Sequence, residues 1–126
     1  MPTQLEETLG SEAARAWSLE RRANERRPAR SSVLIEVHKG RRRLGPNLAV
    51  HLLDLSEAGA GVFMKGALQQ NDEVEVRLSV SGVRASIKRI ARVRWVTKLE
   101  TGYFLMGLQF ERPIPSADVS NFVRPN

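Results

Sequence analysis

From Val33 onward the chain is built of short stretches in which apolar and polar positions take turns. Val33, Ile35 and Val37 alternate with Leu34, Glu36 and His38, and Leu48, Val50 and Leu52 alternate with Ala49, His51 and Leu53. A period of two sends successive side chains to opposite faces of a strand, so each stretch predicts a β-strand with one face toward a core. Gly59 and Gly61 lead into a third, shorter stretch, Val62-Phe63-Met64. Glu73 to Val80 alternates without a break, with Val74, Val76, Leu78 and Val80 opposite Glu73, Glu75, Arg77 and Ser79, as in a half-buried antiparallel strand. After a Ser81-Gly82 turn, Ala85, Ile87, Ala91, Val93 and Trp95 keep the phase except at Arg89, where Ile90 takes the apolar place. That interruption predicts a bulge or bend near Lys88 to Ile90. Phe104, Met106, Leu108 and Phe110 form the last apolar face.

The connections carry turn residues. Lys39 to Asn47 reads as a hairpin loop, and Gln69 to Asp72 and Glu100 to Gly102 read as turns. Six short strands with connections too short for parallel crossovers predict a mainly β fold. A six-stranded antiparallel β-barrel is the favoured form, because closure leaves no exposed edge.

Two helices flank the strands in this reading. Gln4 to Arg22 spaces Leu5, Leu9, Ala13 and Ala16 or Trp17 by three and four, with acids early and arginines late, which predicts an amphipathic N-terminal helix. Gly10-Ser11 offers Ser11 as the N-cap of a shorter version. At the other end, Pro113 and Pro115 stop the last strand, and Ser116 is placed to cap a short C-terminal helix through Phe122 whose Val119 and Phe122 plug one end of the sheet. Pro28 disfavours helical geometry at Arg27, so Arg26 to Arg30 leaves the helix extended, and four such residues span roughly 13 Å. Residues 1–22 are thus an N-terminal helical extension and 23–126 a barrel domain, with an arginine linker over 21–31.

Composition narrows the function classes. At 126 residues and 41% hydrophobic the chain suits one core. No apolar run approaches the roughly 20 residues of a membrane span, and Met1 to Gly10 has neither the basic start nor the apolar centre of a secretory signal. The absence of cysteine excludes disulfides and thiolate zinc sites, and a cytoplasmic location is the simplest expectation. His38 and His51 are the only histidines, Ser56 has no base close in sequence, and no carboxylate pair stands out. Neither catalysis nor a metal site is therefore expected, and no cofactor is implied.

The net charge of +6 is concentrated. Arg21 to Arg43 holds nine Lys or Arg (Arg21, Arg22, Arg26, Arg27, Arg30, Lys39, Arg41, Arg42, Arg43) less two acids (Glu25, Glu36), a local +7. Such a patch attracts a polyanion, although a solvated basic face would look the same. Within reach of it, the strand ending at Leu53 delivers Asp54-Leu55-Ser56-Glu57-Ala58-Gly59 to the sheet rim: a carboxylate that accepts paired N–H donors, a hydroxyl, and a glycine that admits close backbone approach. Alone, that run could be an Asx turn. A basic β-barrel is also one architecture for nucleic-acid binding, but the arginine segment has no aromatic residue for base stacking, and Phe104 and Phe110 share the core face of Met106 and Leu108. That reading ranks second.

Taken together, Arg26-Arg27-Pro28-Ala29-Arg30 and Asp54-Leu55-Ser56-Glu57-Ala58-Gly59 resemble the paired signature, RxxxR followed by (D/N)xSxxG, of the PilZ domain family of bacterial cyclic di-GMP receptors. The likeness runs from about Arg22 to Phe110, and Ala91 to Val96 and Gly107 to Phe110 are similar to the family's late strands. It implies a six-stranded barrel with a C-terminal helix and a non-enzymatic, nucleotide-binding signalling role. By resemblance, Arg26 and Arg30 would contact phosphate and guanine, and Asp54, Ser56 and Gly59 would line the guanine pocket. Arg27 and Arg22 are auxiliary candidates. Asn71 departs from the glycine that many relatives carry there. The linker would be mobile until the ligand's phosphates neutralise it, and a downstream protein would read the change. A PilZ-fold scaffold that binds a protein and no nucleotide is the further alternative.

Overall fold

The alternating stretches form strands because each has one apolar face to bury, and the sheet curls to bring those faces together. The computed structural model describes residues 26–42 and 44–125, so the helix expected over 1–22 lies outside the described residues, as does Arg22. In chain order the elements are β1 (Arg27–Pro28), β2 (Val33–Lys39), β3 (Ala49–Leu55), β4 (Gly59–Met64), β5 (Glu73–Val80), β6 (Val83–Lys98), β7 (Phe104–Phe110) and α1 (Ser116–Phe122). They build one antiparallel sheet in the order β1-β3-β4-β7-β6-β5-β2, curled into a half-barrel. Seven strands replace the expected six, and the addition is part of the arginine linker: Arg27 pairs with Leu55 and Pro28 with Asp54. A proline is tolerated there because β1 lies at the sheet edge, where a missing N–H breaks no ladder.

Register partners across an antiparallel sheet share a face. The row Leu55, Ala60, Leu108 and Val93 is fully buried and runs through the core, as does the row Leu52, Val62, Met106 and Val96. Val119 and Phe122 of α1 are buried against the same core, as the sequence suggests. The phase of β3, however, differs from the expected alternation. Register shifts between Ala49 and His51 and between Leu52 and Asp54 turn Ala49, Leu52 and Leu55 inward. Val50 and Leu53 instead join Phe63, Leu105, Trp95 and Leu99 in a second apolar cluster on the outer face. There His51 stacks on Phe63 and Tyr103 meets Phe63 edge-on.

The bulge expected near Lys88 to Ile90 is not there. The β5–β6 register is continuous from Glu73–Arg92 to Ser79–Ser86, and Arg89 keeps the inward phase opposite the buried Val76. Its guanidinium escapes at the barrel end, donating from Nε to the Arg112 carbonyl at 3.2 Å and from Nη2 to that of Pro113 at 3.4 Å. A long side chain whose charged head finds acceptors at the rim can hold a core-facing position without a bend. The shifts in β6 fall instead between Val93 and Trp95 and at Val80 opposite Val83.

Lys39 to Asn47 does not join a regular hairpin, because β2 and β3 are not neighbours in the sheet. Their seam is made by one backbone bond, Leu48 N–H to the Val37 carbonyl at 2.8 Å, and by the amide of Asn47. Asn47 Oδ1 accepts from Val37 N–H at 2.9 Å and from Ala49 N–H at 3.0 Å, and its Nδ2 donates to the Ile35 carbonyl at 3.4 Å. One side chain thus stands in for the missing rungs. The loop is pinned further by Arg41, which bridges Glu73 and Glu111; these hydrogen bonds, that to Glu73 first, raise its pKa from the ordinary arginine value. Asn71, in the turn before β5, sits at φ +75°, a left-handed conformation that asparagine tolerates better than most side chains.

Asn47→Ala leaves two half-buried N–H groups without their acceptor and should lower unfolding free energy by about 2 kcal/mol. Urea denaturation should show an earlier midpoint with the slope unchanged.

Candidate ligand-binding site

The site grows out of one row on the outer face of the sheet. Pro28, Asp54, Gly61, Gly107 and Trp95 are register partners in turn, from β1 through β3, β4 and β7 to β6. The two glycines leave the middle of the row without side chains, and the Trp95 indole lies over Gly107. Gly107 is required: a Cβ there would run into Nε1 of Trp95. Gly59, one row further on, is required for a similar reason, since its Cβ would strike the Leu108 carbonyl oxygen.

Trp95 reaches the outer face because of the bulge after Val93. Val93 is buried in the core, Arg94 is exposed, and Val96 packs inward again. The extra residue therefore turns Arg94 and Trp95 outward together, where strict alternation would have sent Trp95 to the core. This corrects the core position that periodicity assigns to Trp95. Its Nε1 is buried and has no hydrogen-bond partner among the described residues.

At the opposite end Asp54 is fully buried. Its Oδ1 accepts from Gly61 N–H at 2.7 Å and forms an ion pair with Arg26 Nη1 at 3.5 Å. Only 6% of the Arg26 side chain is exposed, and its Nε and Nη1 are buried without a hydrogen-bond partner among the described residues. Buried cationic donors left in that condition cost more than neutral ones, so the arrangement favours an anionic or carbonyl-rich acceptor in front of them. Ser56 braces the connecting loop: its Oγ accepts from Gly59 N–H at 3.2 Å while Ser56 N–H donates to the Gly59 carbonyl at 2.9 Å. Asp54, Ser56 and Gly59 are thus loop-building residues first, and they hold the loop where it lines a cleft.

That cleft, about 420 Å³, is lined by Arg26, Ser56, Ala58, Gly59, Arg94, Trp95, Leu108 and Gln109. Its size falls within the range of small-molecule sites. It combines two arginines, an indole, a hydroxyl, a carboxamide and one glycine: the means to bind a flat, hydrogen-bonding, negatively charged molecule.

The sequence model of the PilZ domain matches residues 20–124. The chain belongs to the PilZ domain family. No curated protein and no solved structure matches it. PilZ domains are in general non-enzymatic receptor domains for cyclic di-GMP. Among the described residues no group of three or more His, Asp or Glu is placed to hold a metal ion, and no helix is long and apolar enough to cross a membrane.

The signature residues of this PilZ domain divide into two sets. Arg26, Ser56 and Gly59 line the cleft, and Asp54 fastens Arg26 at its edge. Arg27 and Arg30 do not line it: Arg27 Nη2 donates to the Arg124 carbonyl at 3.4 Å, and Arg30 Nε donates to the Val123 carbonyl at 2.8 Å. Nor is the described part of the linker loose, for Arg27 and Pro28 pair with β3, Ala29 N–H donates to the Leu53 carbonyl at 3.0 Å, and Ala29 bridges Val123. Backbone hydrogen bonds to an available edge hold the linker despite its like charges. Sequence reasoning missed Arg94, Trp95 and Gln109. The sequence signals for them were an arginine and a tryptophan side by side in a strand whose phase placed the tryptophan inside, and the likeness of Ala91 to Val96 and Gly107 to Phe110 to the family's late strands.

Gly107→Ala should displace the indole. In a Trp17→Phe background, which leaves Trp95 as the one tryptophan, its emission should shift, and stability should fall by about 1–3 kcal/mol from overpacking.

Proposed function

We propose that this PilZ domain is a receptor for cyclic di-GMP that does no chemistry on its ligand and relays occupancy to a protein partner. The observation that carries the reading is Arg26: a nearly buried guanidinium, held by Asp54, whose Nε and Nη1 have no hydrogen-bond partner among the described residues and which lines one cleft with an outward-facing tryptophan. Arg26 would meet phosphate or the guanine edge, and Trp95 offers an apolar plane on which a purine can stack. Arg94 adds positive charge for the second phosphate, and the Gln109 carboxamide can both donate to and accept from a base edge. Ser56 and Gly59 let the loop backbone come close to the ring. Asp54 positions Arg26 through the ion pair and holds β4 through Gly61. Arg30 joins the ligand only by leaving Val123, and Arg27 only by leaving Arg124. Such a messenger is made and read inside a bacterial cell, so the cytoplasm is the compartment this reading implies.

Titration calorimetry decides the matter, with GTP and single-stranded RNA as controls. Cyclic di-GMP should bind saturably, the controls should not compete, and affinity should fall as salt rises because ionic contacts dominate. Arg26→Ala removes a charged contact and should weaken binding by about 1.5–3 kcal/mol, roughly ten- to 150-fold. Asp54→Ala should also abolish most binding, with additional loss of stability. Tight RNA binding without a response to the dinucleotide would overturn the proposal in favour of a nucleic-acid module. A folded protein that ignores both would make it a protein-binding scaffold.

A further inference from the structure

The residues that border the cleft also hold the C-terminal segment. At the end of α1, Arg30 N–H donates to the Phe122 carbonyl at 2.9 Å and Arg30 Nε to that of Val123 at 2.8 Å. Ala29 bridges Val123, and Arg124 N–H donates to the Pro28 carbonyl at 2.9 Å. At the start of α1, the Glu57 carbonyl accepts from Ile114 N–H at 2.8 Å, and Glu57 Oε1 accepts from the Ser116 hydroxyl. Glu57 lies inside the Asp54–Gly59 loop, and its neighbour Ala58 lines the cleft while accepting from Phe110 N–H at 2.8 Å. Both halves of the signature therefore touch the cleft on one side and clamp α1 on the other.

The helix depends on these clamps. It has seven residues, too few to be stable alone, and Pro115 at its N-cap supplies no side-chain cap. Ser116, expected to be that cap, is the first helical residue and is spent on Glu57. The buried Val119 and Phe122 anchor α1 to the core, while the bonds at its two ends set its angle.

We propose that α1 is the element through which the cleft signals, with Arg30 and Glu57 as positioning residues whose hold on the C-terminal segment competes with ligand. The proposal rests on the cyclic di-GMP reading. Arg30 is exposed and gives its Nε to a neutral carbonyl. A fork that takes a phosphate through its Nε edge needs that same donor, and a charged acceptor is the stronger partner. Drawing Arg30 to a phosphate thus frees the Val123 carbonyl, and any shift of the Glu57-Ala58 turn around the ligand loosens the start of the helix. Coupling is reciprocal: if ligand weakens the clamp, weakening the clamp strengthens ligand binding.

Ser116 is exposed and does not line the cleft, so Ser116→Ala tests this without touching the ligand. Removing its bond to Glu57 should tighten cyclic di-GMP binding about two- to tenfold by calorimetry. Amide hydrogen exchange on the full chain gives the second measurement. Without ligand, Arg30→Ala should speed exchange over Val119 to Arg124, and saturating cyclic di-GMP should do the same to the unaltered protein. Unchanged or weaker binding by Ser116→Ala, or amides over Val119 to Arg124 that stay as protected under saturation, overturns the coupling and leaves the receptor reading standing. Absence of any cyclic di-GMP binding overturns both, and unaltered exchange in Arg30→Ala overturns the clamp itself.

Discussion

The structure turns on the buried carboxylate of Asp54. It ties β4 to β3 through the Gly61 N–H and ties the arginine linker to the sheet through Arg26. A buried ion pair contributes little net stability over an apolar replacement, but losing one partner strands the other and costs about 3–5 kcal/mol. Its value here is geometric. It holds a guanidinium under the rim, where water reaches little of it, so that part of the cost of desolvating the cation is met on folding. A ligand meeting Arg26 finds it already desolvated and oriented.

What the ligand would meet on the other side depends on a second constraint, the phase of the strands. β3 shifts register twice and β6 once near the site, and each shift exchanges inside for outside over the residues that follow. In β3 the later shift precedes Asp54, and in β6 the shift turns Trp95 out beside Arg94. The resulting row of Asp54, Gly61, Gly107 and Trp95 joins two pairs of neighbouring strands, β3 with β4 and β6 with β7, that are far from each other in sequence. Gly107 is as much part of the site as the charged residues, since a side chain there would displace the Trp95 indole. The apolar cluster of Phe63, Leu105, Val50 and Leu53 continues the same outer face away from the cleft and supports the indole from its far side.

The clamps on α1 give this small fold a second consequence. The motif that builds the cleft loop is also the motif against which the C-terminal helix rests, so the two cannot be altered independently. Arg30 shows this best: its place in the signature suggests a ligand contact, and its place in the structure is a capping donor for the Phe122 and Val123 carbonyls. One guanidinium edge cannot fill both roles at once.

Much of this was legible in the chain. Alternation located β2, β5 and β7 and the core faces of Glu73–Val80 and Phe104–Phe110, because period two is a local property of a strand and needs no partner to be seen. The paired signature pointed to Arg26, Asp54, Ser56 and Gly59, since a carboxylate, a hydroxyl and a glycine at set spacing build their loop through short-range bonds. Bulges were illegible: one extra residue is chosen by the strand on the other side, so the outward turns of Trp95 and Val50, and the absence of a bulge at Arg89, were settled only by pairing. The same holds for β1 as a strand, for Asn47 as the seam between β2 and β3, and for Arg30 at the end of α1. Each rests on a contact between residues distant in sequence or on a backbone group whose partner is elsewhere, and such partners exist only once the sheet has curled.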